Sequence, residues 1–213
     1  MQPAIDELSV AAEPDAWAEA GFEVDGDLCQ VGTVRLRLPG PGPERGIVSW
    51  ALRDLASGEL DGLPTTRSES VPRPPSPPHP NGAISIDHVV AFTPDFQRTL
   101  ATLREAGLDF RRLREGPTPG GSERQGFFRV GEALLEVIEA PEGSRIRSDP
   151  GAPARLWGLA FVVESLEVPK RALGERLGEP RDAVQPGRRI ATVHGEAGLG
   201  AAVAFMTPGP GAA

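Results

Sequence analysis

His88 and Glu136 are the side chains of this sequence best suited to chemistry. An imidazole and a carboxylate are both suitable ligands for Zn, Ni, Fe or Mn, and a positioned carboxylate also serves as a general base. His88 sits in the run Ile86-Asp87-His88-Val89-Val90; Glu136 follows 48 residues later, between Leu134-Leu135 and Val137-Ile138. Catalytic metal sites usually keep three protein ligands. His194 shares a strand face with Ile190 and Thr192 and is the further donor on offer. The candidate metal set is therefore His88, Glu136 and His194, with Glu136 also the candidate base.

Structural roles compete with each of these. His88 suits a hydrogen-bonded cavity position on the face of Ile86 and Val90. Glu136, on the face of Leu134 and Ile138, needs a partner, because an unpaired buried carboxylate is costly; Arg124 and Arg129 are at hand. Trp157, Phe161, Phe127 and Phe128 suit a ligand pocket or plain core. Arg155, Arg188 and Arg189 suit an anionic ligand or a solvated surface. The single cysteine, Cys29, excludes an internal disulfide and a Cys-cluster zinc site. Walker A, H-E-x-x-H and G-x-S-x-G patterns are absent, and Gly198-Leu199-Gly200 leads into a strand, not a helix.

The elements that must position these residues recur three times. Ile5-Asp6-Glu7-Leu8-Ser9-Val10, Ile86-Asp87-His88-Val89-Val90 and Leu156-Trp157-Gly158-Leu159-Ala160-Phe161-Val162-Val163 each open a strand, a helix and further strands. In the third copy the positions equivalent to His88 and Glu136 are Gly158 and Ala204, which carry no ligand atoms. Alternation predicts a strand over Val31 to Leu38, with Val34, Leu36 and Leu38 facing one way and Arg35 and Arg37 the other. Asp25-Gly26 is a hairpin signal. Phe96, Leu100 and Leu103 give the second copy's helix an apolar stripe that ends at Gly107, and Ser165 starts a helix running to Leu177. Gly116 to Gly121 reads as a loop. Between the first and second copies, Pro72 to Pro80 holds six prolines in nine residues, which favours extended polyproline geometry and a semi-rigid linker.

A length of 213 residues is enough to bury a core, and a net charge of -8 argues against nucleic acid as a partner. No apolar stretch is long enough for a membrane span, and no secretory signal is evident, so a soluble cytoplasmic protein is expected. Tandem strand–helix–strands repeats without α/β alternation point to an α+β fold.

At His88, Glu136 and the closing Val203-Ala204-Phe205-Met206-Thr207-Pro208, the chain resembles the vicinal oxygen chelate superfamily. That group includes glyoxalase I, bleomycin-resistance proteins, extradiol dioxygenases and methylmalonyl-CoA epimerase. The resemblance implies tandem βαβββ modules that pair around a U-shaped metal-binding cavity: one complete pair plus one additional N-terminal module. Residues 1–64 would form that module, 65–83 a Pro-rich linker, and 84–210 the paired domain, with modules at 84–141 and 156–208. It also implies metal ligands on the first and last strand of each module, matched here by His88 and Glu136 but not by Gly158 and Ala204. Glu7 takes the slot of His88 in the first module, with Ser49 as its last-strand counterpart. The implied function is a metal-dependent lyase, isomerase or dioxygenase acting on a small substrate with adjacent oxygens, working with an incomplete metal site. The alternatives are a metal-free protein that binds or sequesters a small, partly aromatic compound, as bleomycin-resistance proteins do, or a catalytically silent scaffold. The odd module must pack on the pair or meet its counterpart in a second chain, which makes a homodimer the expected assembly.

Overall fold

In the computed structural model, the described residues are 2–56, 58–117, 121, 124–147 and 149–209. In chain order the elements are β1 (Ala4–Val10), α1 (Pro14–Glu19), β2 (Leu28–Val31), β3 (Val34–Arg37), β4 (Ile47–Arg53), β5 (Thr65–Ser68), β6 (Ser85–Thr93), α2 (Phe96–Glu105), β7 (Asp109–Glu115), β8 (Arg124–Val130), β9 (Ala133–Glu139), β10 (Arg155–Val162), α3 (Glu167–Leu173), β11 (Arg181–Asp182), β12 (Arg189–Thr192) and β13 (Ala202–Met206). The fold is α+β. Part of the expected Gly116–Gly121 loop, residues 118–120, lies outside the described residues. Among those described, no helix is long and apolar enough to cross a membrane.

The chain divides into two compact units that alternate along the sequence. One holds the stretch ending at Asp6 together with Ser49–Ser70 and His88–Trp157. The other holds Glu7–Val48, Val71–Asp87 and the chain from Gly158 onward.

In the first of these units the strands run β6-β9-β8-β7. β6 and β9 are parallel, and β9, β8 and β7 are successively antiparallel. Helix α2 starts at Asp95, whose side chain accepts from Arg98 N at 3.0 Å, the capping geometry that satisfies an orphan donor. Its Phe96, Thr99, Leu100 and Leu103 are buried. Gly126 on β8 gives Leu100 room: a Cβ there would fall 3.1 Å from a Leu100 methyl. The Ser49–Ser70 segment is tied to the same helix, since Arg98 Nε meets Asp61 Oδ1 at 2.6 Å.

In the second unit the strands run β10-β13-β12-β11, again with first and last strands parallel. This is the same βαβββ module. Within the same unit, Trp17 of α1 and the nearby Phe22 join Phe161 of β10 and Phe205 of β13, with centroids 4.8 to 6.2 Å apart. Aromatic pairs at this spacing add to the stabilisation from burial alone.

The N-terminal module is a shortened version. β1 pairs in parallel with β3, and β3 pairs antiparallel with β2. Gly32, at φ 59, breaks the expected Val31–Leu38 strand into the β2–β3 hairpin. The Asp25-Gly26 turn instead closes on Leu28 just before β2. The third-copy helix ends early: Gly174 at φ 58 stops α3 at Leu173, and a 3-10 turn follows. Leu166, not Ser165, takes the N-cap position, and Ser165 Oγ accepts from Glu167 N, the first helical residue, at 3.2 Å.

The proline run carries no helix or strand and is docked at Pro74, Ser76 and His79. Ser76 N donates to Gly32 O and Gly32 N donates back to Ser76 Oγ, at 2.9 and 3.0 Å. Gln30 Nε2 donates to Pro74 O at 2.8 Å. Buried Asn81 closes the strap, donating to Ala20 O and accepting from Ala83 N. Prolines cannot donate, so side chains and flanking backbone supply these contacts.

Candidate functional site

Successive strand residues alternate faces, and on β6 and β9 the alternation separates core from site. Val89, Ala91, Leu135 and Val137 are fully buried, whereas His88, Val90, Phe92, Leu134, Glu136 and Ile138 are half-buried. The ladder registers arrange this second face in three rows. Phe92, Ile138, Gln125 and Arg114 form one, and Val90, Glu136, Phe127 and Arg112 the next. His88, Leu134 and Arg129 begin the third.

His88 and Glu136 are diagonal neighbours on this map, and the structure brings them together. His88 Nε2 lies 3.5 Å from Glu136 Oε2. The other carboxylate oxygen accepts from Gln125 Nε2 at 2.7 Å, and Gln125 Oε1 accepts from Arg114 Nη1 at 2.8 Å. A polar ladder thus crosses four strands, from Arg114 through Gln125 and Glu136 to His88. Arg114 fixes which way the Gln125 amide points, because only its oxygen can accept. The arginines expected to pair with Glu136 go elsewhere: Arg124 makes a two-pronged contact with Glu139 at 2.8 and 2.6 Å, and Arg129 bonds Glu132 O. Arg124 holds the Glu139 carboxyl below its ordinary value, despite burial pushing the other way.

The three modules carry three versions of this pair. The last-strand position lies two residues beyond the register partner of the first-strand position: Glu136 follows Leu134, the partner of His88. Applied to β10 and β13, the same rule takes Gly158 through Ala202 to Ala204, the equivalence read from the sequence. Applied to β1 and β3, it takes Glu7 through Arg35 to Arg37, not to Ser49. Glu7 is ion-paired with both arginines, with Arg35 Nε at 2.8 Å and Arg37 Nε at 2.9 Å, the latter a hydrogen bond. The first module therefore holds an ion pair, the second a His–carboxylate pair, and the third no polar side chain. Gly158 has no room for one, since a Cβ would lie 2.6 Å from Ala202 O.

His194 follows β12, and its backbone N–H donates to Arg176 O at 2.8 Å. It borders a cavity of about 560 Å³ with Ala11, Arg45 and the glycine-rich 195–200 turn. Among the described residues no group of three or more His, Cys, Asp or Glu side chains is arranged to hold a metal. His88 and Glu136 lie in the first unit and His194 in the second; the His88–Glu136 pair alone offers two donors, where catalytic metal sites usually keep three.

The aromatic candidates divide. Phe161 and Phe128 are fully buried core, Phe127 is nearly so, and Trp157 is 51% exposed. Arg188 is no free anion receptor: it pairs with Asp87 and donates to Thr207 O and Gln185 Oε1. Cys29 is buried, and that burial pushes its thiol up to about 12.

Sequence reasoning missed Gln125 and the two aspartates beside the first-strand slots. Asp6 is buried, ion-paired with Arg53 and bonded to Ser68 Oγ at 2.8 Å; Asp87 holds Arg188. The repeated Ile-Asp dipeptide, at Ile5-Asp6 and Ile86-Asp87, was the available signal. Gln125 shares strand parity with Phe127, but nothing local links it to Glu136.

The sequence profile of the Glyoxalase/Bleomycin resistance protein/Dioxygenase superfamily matches residues 85–205, more than half of the chain. The chain belongs to that superfamily. Its glyoxalase-like fold recurs in solved structures. Methylmalonyl-CoA epimerase from Mycobacterium tuberculosis is 20% identical with a TM-score of 0.50, covering 61% of this chain and 91% of that one. A Streptomyces coelicolor methylmalonyl-CoA epimerase variant, in complex with 2-nitronate-propionyl-CoA, is 20% identical with a TM-score of 0.49 and covers 60% and 96%. A hypothetical protein from Bacillus halodurans is 19% identical with a TM-score of 0.48 and covers 61% and 97%. At these identities the likeness is one of fold.

Proposed function

We propose that this glyoxalase-superfamily chain binds a small molecule at the His88–Glu136 face and does so without a resident metal. The supporting observation is the donor set: one His–carboxylate pair, already held by Gln125, with Gly158 and Ala204, which carry no ligand atoms, at the matching positions of the third module. Elemental analysis of the purified protein, with His88→Ala alongside, tests the reading. The expected result is Zn, Ni, Fe and Mn far below stoichiometry, unchanged in the variant, and a Tm indifferent to EDTA. Near-stoichiometric metal that disappears in His88→Ala overturns it.

A second reading is a lyase or isomerase that uses Glu136 as general base. It is supported by the fixed carboxylate, whose Oε2 faces the His88 ring. Methylmalonyl-CoA belongs in its substrate panel, since one structural neighbour is an epimerase of that compound. Turnover that Glu136→Gln abolishes in a folded protein establishes it.

A further inference from the structure

We propose that the cavity bordered by Arg45, His194 and the 195–200 turn is a second ligand site, for a small organic oxyanion, a phosphate or a carboxylate. It lies wholly within the second unit and goes beyond the reading of the His88–Glu136 face. At about 560 Å³ it has the size of a small-molecule pocket. One wall comes from Ala11 and from the loop before β4, both of which precede the residues 85–205 matched by the superfamily profile. The site therefore exists only where the extra N-terminal module is present.

Glycine shapes the turn that closes the cavity. Gly200 has φ 74, and a Cβ there would fall 2.5 Å from Ala11 O and 2.9 Å from Ala12 Cβ. Only glycine lets the backbone come this close to the end of β1. Leu199, Gly200 and Ala201 all line the cavity, and their N–H groups have no hydrogen-bond partner among the described residues. Leu199 is only 3% exposed, and backbone donors of buried residues ordinarily find an acceptor. Arg45 lines the same cavity, and its guanidinium has no ion pair or hydrogen bond among the described residues. A free guanidinium holds a carboxylate or phosphate through paired N–H donors. His194 is seated against Gly178, where a Cβ would meet its Nε2 at 3.2 Å, and an imidazole offers an N–H donor in either charge state. Glu44, on the wall beside Arg45, has only acceptors to give. The complementary ligand therefore carries one oxyanion and a hydroxyl-bearing body with no second negative group.

The test follows the assigned backbone amide resonances of the 15N,13C-labelled full chain with three probes: glycerol phosphate, glycerate and glycerol. The first two pair hydroxyls with different oxyanions, and the third has hydroxyls alone. At least one anion should shift the Leu199, Gly200 and Ala201 amides, and glycerol should leave them in place. The tighter of the two anions identifies the headgroup. Arg45→Gln should raise its apparent Kd about tenfold, the loss of one charge-assisted contact, and Arg45→Lys should recover part of that loss. Added salt should weaken binding in the wild type more than in Arg45→Gln. Arg45 is exposed, and the amide resonances far from the cavity report that its variants are folded. Binding that ignores Arg45→Gln overturns the inference. So does glycerol shifting the same three amides as strongly as the anions, because no oxyanion is then recognised. Failure of both anions to move these amides overturns the proposed site.

Discussion

Gln125 donates to Glu136 across 2.7 Å, joining a nearly buried amide on β8 to the half-buried carboxylate on β9. Gln125 thereby determines which carboxylate oxygen is turned toward His88. Hydrogen bonds to charged groups contribute about 1.5–3 kcal/mol. Gln125→Leu should therefore lower unfolding stability by about 1–3 kcal/mol in urea and weaken ligand binding at Glu136 about tenfold or more. Unchanged affinity in a folded Gln125→Leu protein would show that Glu136 does not depend on this contact.

Gly158 is a steric requirement of the β10–β13 ladder. A Cβ there would sit 2.6 Å from Ala202 O and 3.0 Å from Ala202 Cβ. Relieving such a clash means moving backbone, and overpacking of this kind costs about 1–3 kcal/mol. Gly158→Ala should lower the urea midpoint accordingly. A neutral Gly158→Ala would mean that the two strands separate easily, leaving room for a side chain in the third module.

Glu139 links acid stability to the first unit. Its pKa is held below the ordinary value, first by the hydrogen bond from Arg124, against the opposing effect of burial. A depressed carboxyl contributes stability that is present above the unfolded value of about 4.5 and lost as pH falls through the lower folded value. Glu139→Gln should be less stable than wild type at neutral pH and show a shallower loss below that value. Urea titrations from pH 7 to pH 3 measure both, and parallel curves would refute the linkage.

His79 anchors the proline strap as a neutral imidazole. Its Nδ1 accepts from Glu23 N at 2.9 Å, which puts the proton on Nε2, 3.0 Å from Gln30 O. Burial lowers its pKa, outweighing Gln30 O and Glu23, which favour the charged form. The unfolded chain takes up the proton first, so stability is full above the ordinary 6.5 and declines as pH falls below it toward the folded value. The wild type should lose Tm between pH 7.5 and 5.5, and His79→Gln should lose less. Equal losses would place the pH response elsewhere.

The sequence by itself determined the repeat, the α+β class, and the face on which each strand residue lies. His88, Glu136, Gly158 and Ala204 could be aligned because strand parity is local, with a period of two, and because the second and third modules have nearly equal internal spacings of 48 and 46 residues. The core stripe of α2 was legible for the same reason. Tertiary structure decided who meets whom across the sheet. Ser49 was the expected partner of Glu7, yet the parallel ladder places Arg35 and Arg37 there, because the N-terminal module closes on β3. Arg124 and Arg129 share a strand with Gln125, but only Gln125 reaches Glu136. Register is a non-local property, set by which strands pair and how they slide, and a one-residue slip exchanges every partner. The proline run shows the same limit. Its extended shape follows from fixed φ angles, whereas its docking depends on Gln30, Gly32 and Asn81 arriving from distant positions.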